Sequence, residues 1–292
     1  MNAISYSVGI RTHDGPSEEI GARAAERYTL GAMFDASLES SPAIAVRSLR
    51  ASGCALLAPD GLGALAQVTG DTLDALRDAW TRLPPDDHLR DGGRYRFRRH
   101  SCFTIDREPH GLVCDRLVQV AHRAHYQSVD YNALHGGLER WFSPIEPAVV
   151  ASPAWPLLLT ALGRELFALK ATPRWFVEAH QFRIDATGGI GRPTPEGAHR
   201  DGVDFVAVVL IDRRNVKGGE TRVFQADGPH GIRFTMQEPW TTLLLDDARV
   251  IHETSPVQPS RAGDAFRDTL VLTYRADGFQ APNQPRGGSD RA

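Results

Sequence analysis

The spacing of hydrophobic residues changes near residue 170. From about residue 17 to this point, apolar residues recur mostly at helical spacing, which is typical of helices with one buried face. Beyond it, short runs rich in Val, Ile, Thr and Phe alternate with clusters of Gly, Pro and Asp, which is typical of strands and turns. The pattern predicts helices at 72–83, 112–126 and 156–170, with another beginning at Ser17, and strands at 54–57, 95–105, 175–185, 204–212, 220–225, 232–237, 241–245, 249–254 and 267–274.

The strand-rich half shows no helical pattern between its strands. This excludes a parallel sheet of β-α-β units and favours a sandwich, jelly roll or barrel. Because no Gly- or Ser-rich linker separates the two halves, we predict an α+β fold with one domain over residues 1–276. In it, a helix-rich part (1–170) packs against a β core (171–276). Residues 277–292 have few apolar side chains and are predicted to form a disordered tail.

Composition excludes several classes of protein. The chain has 33 Lys and Arg against 36 Asp and Glu, a net charge of −3, which gives no reason to expect a nucleic-acid partner. The three cysteines, Cys54, Cys102 and Cys114, are too few and too far apart for a disulfide framework. Neither a signal peptide nor an apolar run of about 18 residues is evident. We therefore expect a cytoplasmic protein with no membrane partner.

The loop around His199 offers candidate metal ligands. His199 and Asp201 lie two positions apart, and His252 lies in the predicted strand 249–254. The intervening strands of a jelly roll could bring His252 back beside the first pair. Two histidines and one carboxylate on one face of a metal leave open positions for substrate and oxygen, as in non-haem Fe(II) oxygenases. The alternatives are a solvated loop pair and, for His252, a buried structural histidine.

A second candidate site opens the last predicted strand. Side-chain alternation turns Arg267 and Thr269 to one face of this otherwise apolar strand. If that face lines the barrel, the guanidinium and the hydroxyl could bind a carboxylate together. The alternative is an edge-strand arginine paired with Asp264 or Asp268 in solvent.

In chain order, His199-x-Asp201, the distal His252 and Arg267-x-Thr269 resemble the signature of the Fe(II)/2-oxoglutarate-dependent dioxygenases, whose core is a double-stranded β-helix, or jelly roll. The likeness narrows to the subfamily typified by bacterial L-isoleucine 4-hydroxylase, which oxidises free amino acids. The segments that carry this narrower resemblance are HYQSVDYNALHGGLERWFSPI (125–145), HQFRI (180–184), PEGAHRDG (195–202) and NVKGGET (215–221).

The resemblance implies a role for each of these residues. His199, Asp201 and His252 would hold Fe(II), and Arg267 and Thr269 would bind the distal carboxylate of 2-oxoglutarate. With O2, the enzyme would hydroxylate an unactivated C–H bond of a small free amino acid or a derivative, releasing succinate and CO2. Desaturation or ring closure by the same chemistry stays open. Halogenation is disfavoured because related halogenases lack the carboxylate, and a homodimer is implied at the family level alone.

Four further residues are candidate contacts for the cosubstrate or the substrate. Gln181 and Arg183 share a face of the predicted strand 175–185, and on a buried face they would need partners such as the cosubstrate or an amino-acid carboxylate. Glu196 could bind a substrate ammonium or simply solvate its turn. The resemblance to this family also implies that Arg98 or a neighbouring arginine could reach the substrate carboxylate.

Two patterns keep other interpretations open. The arginines of 94–100 alternate with aromatic residues, which favours an edge strand with its arginines outward and also occurs on RNA-binding strands. His122 and His125 lie three apart on the predicted helix 112–126, where we expect surface imidazoles. A cupin-like metal protein without 2-oxoglutarate, either an isomerase or a small-ligand binding protein, is the alternative to an oxygenase.

Overall fold

The structure, a computed structural model, describes residues 37–107, 116–132, 134 and 136–282. The helices are α1 (Pro42–Ser52), α2 (Pro59–Ala66), α3 (Gly70–Asp74), α4 (Pro147–Val150) and α5 (Ala154–Phe167), and a 3-10 helix spans Arg77–Arg82. The strands are β1 (Leu38–Glu39), β2 (Cys54–Leu57), β3 (Arg96–Asp106), β4 (Arg116–Gln119), β5 (Arg174–Asp185), β6 (Phe205–Arg214), β7 (Val216–Gly218), β8 (Thr221–Gln225), β9 (Gly231–Phe234), β10 (Thr242–Asp246), β11 (Val250–Thr254), β12 (Val257–Pro259) and β13 (Phe266–Arg275). Within the described ranges, no helix combines the length and the apolar character that crossing a bilayer requires.

Two sheets build the core. The major sheet has the strand order β1-β2-β10-β6-β13-β5-β3-β4, and the minor sheet has the order β11-β8-β9, with β12 and β7 forming a separate pair. Pairing is antiparallel except between β1 and β2. This arrangement confirms the predicted α+β fold with a jelly-roll core.

Side-chain alternation gives the major sheet two different faces. On one face, Trp175, Val177 and Ala179 of β5 belong to a large apolar core that also contains Trp155 and Leu158 of α5. On the other face, apolar residues of β2, β6 and β10 pack with residues of β8, β9 and β11. The helices therefore cover one face of the major sheet and the minor sheet covers the other, so side chains on both faces are removed from water.

The sequence predicts the strands of the second half well, because their hydrophobic runs coincide with β5, β6, β8, β9, β10, β11 and β13. The predicted helix 112–126 is wrong in its described part: Arg116–Gln119 forms β4, which pairs with β3. Pairing at a sheet edge here overrides local helical spacing. The predicted helix 72–83 is divided between α3 and the 3-10 helix. The helix predicted to begin at Ser17 lies outside the described residues.

Helix α5 supplies a test of this packing. Trp155 is fully buried and Leu157, on the same helix, is 41% exposed. We expect Trp155→Ala to lower the free energy of unfolding by about 3–5 kcal/mol, because it removes a large side chain from a closed core. The control, Leu157→Ala, should change it by less than about 1 kcal/mol. Denaturant unfolding measures both values, and equal losses in the two variants would contradict the packing described.

Candidate active site

A cavity opens on the minor-sheet face of the major sheet. Most of the residues that line it are polar or charged, although the neighbouring strands of the sheet are apolar. The charged and imidazole-bearing residues that line it are Arg96, Arg98, His125, Arg140, Glu178, His180, Glu196, His199, Asp201, His252 and Arg267. This concentration of chemistry in one buried space makes the cavity the candidate active site.

The three predicted metal ligands meet at this cavity. A backbone bridge pairs His199 with His252, each N–H lying 3.0 Å from the other residue's carbonyl oxygen. Asp201 places Oδ1 3.7 Å from His199 Nε2 and Oδ2 3.8 Å from His252 Nε2. The ligand atoms of the three residues lie within 4.8 Å of one another. Two imidazole nitrogens and one carboxylate in this arrangement fit a single Fe(II) ion.

The electrostatics of the two histidines differ. Burial and the neighbouring His199 ring lower the pKa of His252 well below its ordinary value. Burial also opposes protonation of His199, but the carboxylates of Asp201 and Glu196 raise the pKa of His199 overall. The Nδ1 atom of His199 lies 2.9 Å from the carbonyl oxygen of Gly197. That contact fixes the ring and leaves Nε2 facing the cavity, as a metal ligand requires.

A buried carboxylate shapes the loop that carries Asp201. Asp247 accepts backbone hydrogen bonds from Asp201 N at 2.9 Å, Gly202 N at 2.8 Å and Val203 N at 3.1 Å. Gly202 has a φ of 74°, which favours glycine. Burial and the adjacent Asp201 carboxylate raise the pKa of Asp247 to about 7, although backbone donors lower it. Asp247 thus holds the turn that carries Asp201, whose carboxylate is a predicted metal ligand.

Arg267 and Thr269 also face the cavity. Both are buried, and Arg267 Nε has no hydrogen-bond partner among the described residues. The alternative pairing with Asp268 is wrong, because Asp268 binds Arg183 through two contacts of 2.8 and 2.6 Å. Burial lowers the pKa of Arg267 to about 10. A buried guanidinium without its own carboxylate fits the anionic end of 2-oxoglutarate.

The structure does not bring Gln181 and Arg183 to the cavity. They share one face of β5, as expected, but the residues of β5 that line the cavity are Glu178, His180, Phe182 and Ile184. Alternation therefore turns Gln181 and Arg183 to the opposite side of the sheet. The prediction that these two residues contact the cosubstrate or the substrate is therefore wrong. Arg183 instead forms an ion pair with the buried Asp268.

Two of the three arginines of β3 point inward, whereas Arg99 alternates to the other face of the strand and bonds to Pro144 and Glu146. Arg96 and Arg98 are both buried and line the cavity, and β4 rather than β3 forms the edge of the major sheet. The guanidinium of Arg98 lies 3.7 Å from the ring centre of Phe142 and 4.4 Å from that of Phe182. The expected edge strand with outward arginines is therefore wrong, and the buried arginines offer no basic surface to RNA.

Sequence reasoning missed a second cluster, formed by His100, His125, Glu178 and His180, which are all buried. Glu178 Oε2 lies 2.9 Å from His100 Nε2 and 2.7 Å from His125 Nδ1. Burial opposes ionisation of Glu178, but the two histidines lower its pKa overall, while burial lowers the pKa of His125 to about 4. His125 is thus not a surface imidazole. The placement of Glu178 and His180 two apart on one strand was the available signal.

Glu196 lines the cavity beside the predicted metal ligands. Its Oε1 atom is 3.7 Å from His199 Nε2 and 3.5 Å from Asn132 Nδ2. Its Oε2 atom is buried and has no hydrogen-bond partner among the described residues. A free carboxylate oxygen beside the metal ligands remains able to accept a donor from a bound molecule.

The residues predicted as a tail begin inside the fold. Gln280 donates hydrogen bonds to the carbonyl oxygens of Asp201 at 2.8 Å and Gly202 at 3.2 Å, and it lines the cavity. The ring of Phe279 packs against Phe176 with 5.2 Å between ring centres. The prediction of disorder is therefore corrected for residues 277–282, and residues 283–292 lie outside the described ranges.

The role of Asp247 can be tested by replacing one oxygen. Asp247→Asn keeps the side-chain size but directs an amide NH2 at backbone N–H donors, so at least one donor loses its acceptor. We expect the free energy of unfolding to fall by about 1–3 kcal/mol, with weaker binding of divalent metal. The control is Asp246→Asn at the adjacent, less buried carboxylate, which should cost less than about 1 kcal/mol. Unchanged stability and metal affinity in Asp247→Asn would refute this role.

Known proteins are similar to this chain in sequence and in fold. The chain is 54% identical to a bsmA homolog from Methylobium petroleophilum PM1, whose crystal structure it matches with a TM-score of 0.78 over 83% of this chain and 96% of that one. It is 26% identical over 159 residues to the L-isoleucine-4-hydroxylase of Bacillus thuringiensis. That match covers 51% of this chain and 64% of the relative, less than two thirds of its length. The structure of IDO from Bacillus thuringiensis, at 18% identity, has the same fold, with a TM-score of 0.63 over 80% of this chain and 95% of that one.

A family model decides the classification. The model of the 2OG-Fe dioxygenases matches residues 77–273, which include the three predicted metal ligands as well as Arg267 and Thr269. Their donor set and the unpaired buried guanidinium suit the iron and the cosubstrate of that family. This chain is therefore a member of the 2OG-Fe dioxygenase family, whose cofactors are Fe(II), 2-oxoglutarate and O2.

Proposed function

We propose that this enzyme hydroxylates an unactivated C–H bond of a small free amino acid or a derivative, with release of succinate and CO2. The observation that carries the proposal is a cavity that joins the predicted metal ligands to buried arginines and to Glu196, whose atoms include some without a hydrogen-bond partner among the described residues. The L-isoleucine-4-hydroxylase among its relatives supports the same substrate class. Family membership leaves no support for the cupin-like alternative without 2-oxoglutarate.

The cofactors have candidate partners in this chain. We assign the metal to His199, Asp201 and His252, and the distal carboxylate of 2-oxoglutarate to Arg267 and Thr269. Bound Fe(II) supplies the chemistry by which O2 oxidises 2-oxoglutarate to succinate and CO2 and the substrate to an alcohol. Because Arg267 is buried, its hydrogen bonds to a carboxylate would be made with little competition from water.

Another part of the cavity wall fits an amino-acid carboxylate. Arg98 and Arg140 are buried there, and the Nε atom of each has no hydrogen-bond partner among the described residues. Burial lowers the pKa of both guanidinium groups, that of Arg140 to about 10. An anion placed between them would compensate for the charge that burial disfavours. Glu196, with its free buried oxygen, would accept the substrate ammonium.

The balance of charge favours a zwitterion. Four arginines and three carboxylates line the cavity, and Asp86, 2.7 Å from Arg96, is a fourth buried carboxylate. Since the charges of Fe(II) and the 2-oxoglutarate dianion also cancel, the cavity offers a bound molecule charges of both signs. A free amino acid brings one charge of each sign and leaves this balance unchanged.

The assignment of Arg267 predicts a defect in cosubstrate binding. We expect Arg267→Ala to raise the KM for 2-oxoglutarate by about 10- to 100-fold, because a charge-assisted contact contributes about 1.5–3 kcal/mol. Arg222→Ala, which alters a more exposed arginine of the minor sheet bonded to Glu220 and Glu253, should leave the KM unchanged. Succinate formation at varied 2-oxoglutarate measures both. An unchanged KM in Arg267→Ala would contradict the assignment.

The substrate class is tested with a panel of free amino acids under Fe(II), ascorbate and 2-oxoglutarate. We expect substrate-dependent succinate and a product heavier by one oxygen atom, whereas desaturation or ring closure would give a product lighter by two hydrogens. Methyl esters of the active amino acids should react poorly, because they lack the carboxylate.

The role of Arg98 is tested by the same assay. Arg98→Met should raise the KM for the amino acid by about 10-fold or more, with the KM for 2-oxoglutarate unchanged. Turnover of esters and acids at equal rates would contradict this interpretation.

A further inference from the structure

A glutamine in the segment before α4 contacts the metal carboxylate directly. The Nε2 atom of Gln127 donates a hydrogen bond of 2.9 Å to Asp201 Oδ1, and the Gln127 side chain is buried. Within the part of the chain that the structure describes, Gln127 is the one hydrogen-bond donor to this carboxylate. We propose that Gln127 is a positioning residue of the metal site, which holds the Asp201 carboxylate in the orientation that binds iron.

The orientation of the Gln127 amide is itself determined by its neighbours. Its Oε1 atom accepts hydrogen bonds from Asn132 Nδ2 at 3.2 Å and from Arg140 Nη2 at 3.1 Å. The Arg140 guanidinium can only donate, and the Asn132 amide nitrogen also lies 3.5 Å from a Glu196 carboxylate oxygen. The oxygen of the Gln127 amide therefore faces these two donors, and its NH2 group faces Asp201. A flipped amide would set donors against donors on one side and an oxygen against a carboxylate on the other.

Backbone contacts hold Gln127 in place. His125 and Arg140 form a backbone bridge with two N–H to carbonyl contacts of 2.9 Å, and the carbonyl oxygen of Gln127 accepts from Gly137 N at 2.8 Å. The segment also fits closely against the metal loop, the stretch 199–202 that carries His199 and Asp201, because a Cβ atom at Gly202 would collide with the ring of Tyr131. These contacts fix the backbone of Gln127, so its side chain extends to Asp201 from a fixed position.

The other supports of Asp201 act on its backbone. Asp247 accepts its N–H and Gln280 donates to its carbonyl oxygen, but neither restrains rotation of the carboxylate about the side-chain bonds. The Gln127 contact engages Oδ1 and leaves Oδ2 beside His252. Hydrogen bonds to a ligating carboxylate reduce the orientations it must lose on binding a metal, and removing such partners commonly weakens metal affinity by about 10- to 100-fold.

The test is the affinity of the metal-free, full-length enzyme for Co(II), measured by calorimetry without substrate. Gln127→Met keeps the side-chain length and loses the donor, and we expect its affinity to fall by about 10- to 100-fold. Gln127→Asn keeps an amide on a shorter side chain, and its Co(II) affinity should fall by about 10-fold. This second variant tests the proposal if Gln127→Met does not fold. Ser128→Ala is the matched control, because the buried Ser128 hydroxyl has no hydrogen-bond partner among the described residues.

Co(II) affinity within twofold of wild type in a folded Gln127 variant would overturn the proposal, as would an equal loss in Ser128→Ala. A loss confined to the Gln127 variants, with the unfolding temperature of the metal-free protein unchanged, supports it. Because this measurement uses no amino acid, its result is independent of whether the proposed substrate class is correct.

Discussion

The antiparallel pairing of β5 with β3 and β13 is the constraint on which the site depends. Its register determines that Arg98, His180, Arg267 and Thr269 face the cavity while Gln181 faces the helices. A slip of one residue would exchange the two faces of a strand, moving charged groups into the apolar core and apolar groups into the cavity. The helix α5 and the large core beneath it resist that exchange, so the same packing that stabilises the fold also fixes the chemistry.

Burying so many charges is costly, and the cavity shows two ways of offsetting the cost. Glu178 is surrounded by imidazoles, and Asp86 is paired with Arg96, so these charges are compensated within the chain. Arg98, Arg140 and Arg267 each retain a nitrogen without a partner among the described residues. Contacts within the chain satisfy part of the buried charge, including that of Arg98, which lies 3.8 Å from Asp86. The guanidinium nitrogens left without a partner mark places where a ligand can complete the hydrogen bonding.

Much of this arrangement could be predicted from the sequence because the information was local. Hydrophobic runs identified most strands after residue 170, and the spacing of His199, Asp201 and His252 indicated ligands that the structure does bring together. The errors arose where long-range pairing decides: β4 takes its conformation from the edge of β3, and alternation alone could not tell which face of β5 borders the cavity. In the cluster around Glu178, only Glu178 and His180 are close in sequence, whereas His100 and His125 lie more than fifty positions from Glu178, so spacing along the chain could not reveal the whole cluster.

The contact of Gln280 with the carbonyl oxygens of Asp201 and Gly202 joins a late part of the chain to the metal loop. During synthesis, both histidines and the carboxylate leave the ribosome well before this glutamine does. The loop therefore lacks one of its restraints while the nascent protein is still growing. The restraint that Gln280 adds to this loop therefore forms only after the candidate ligands and β13 have been synthesised.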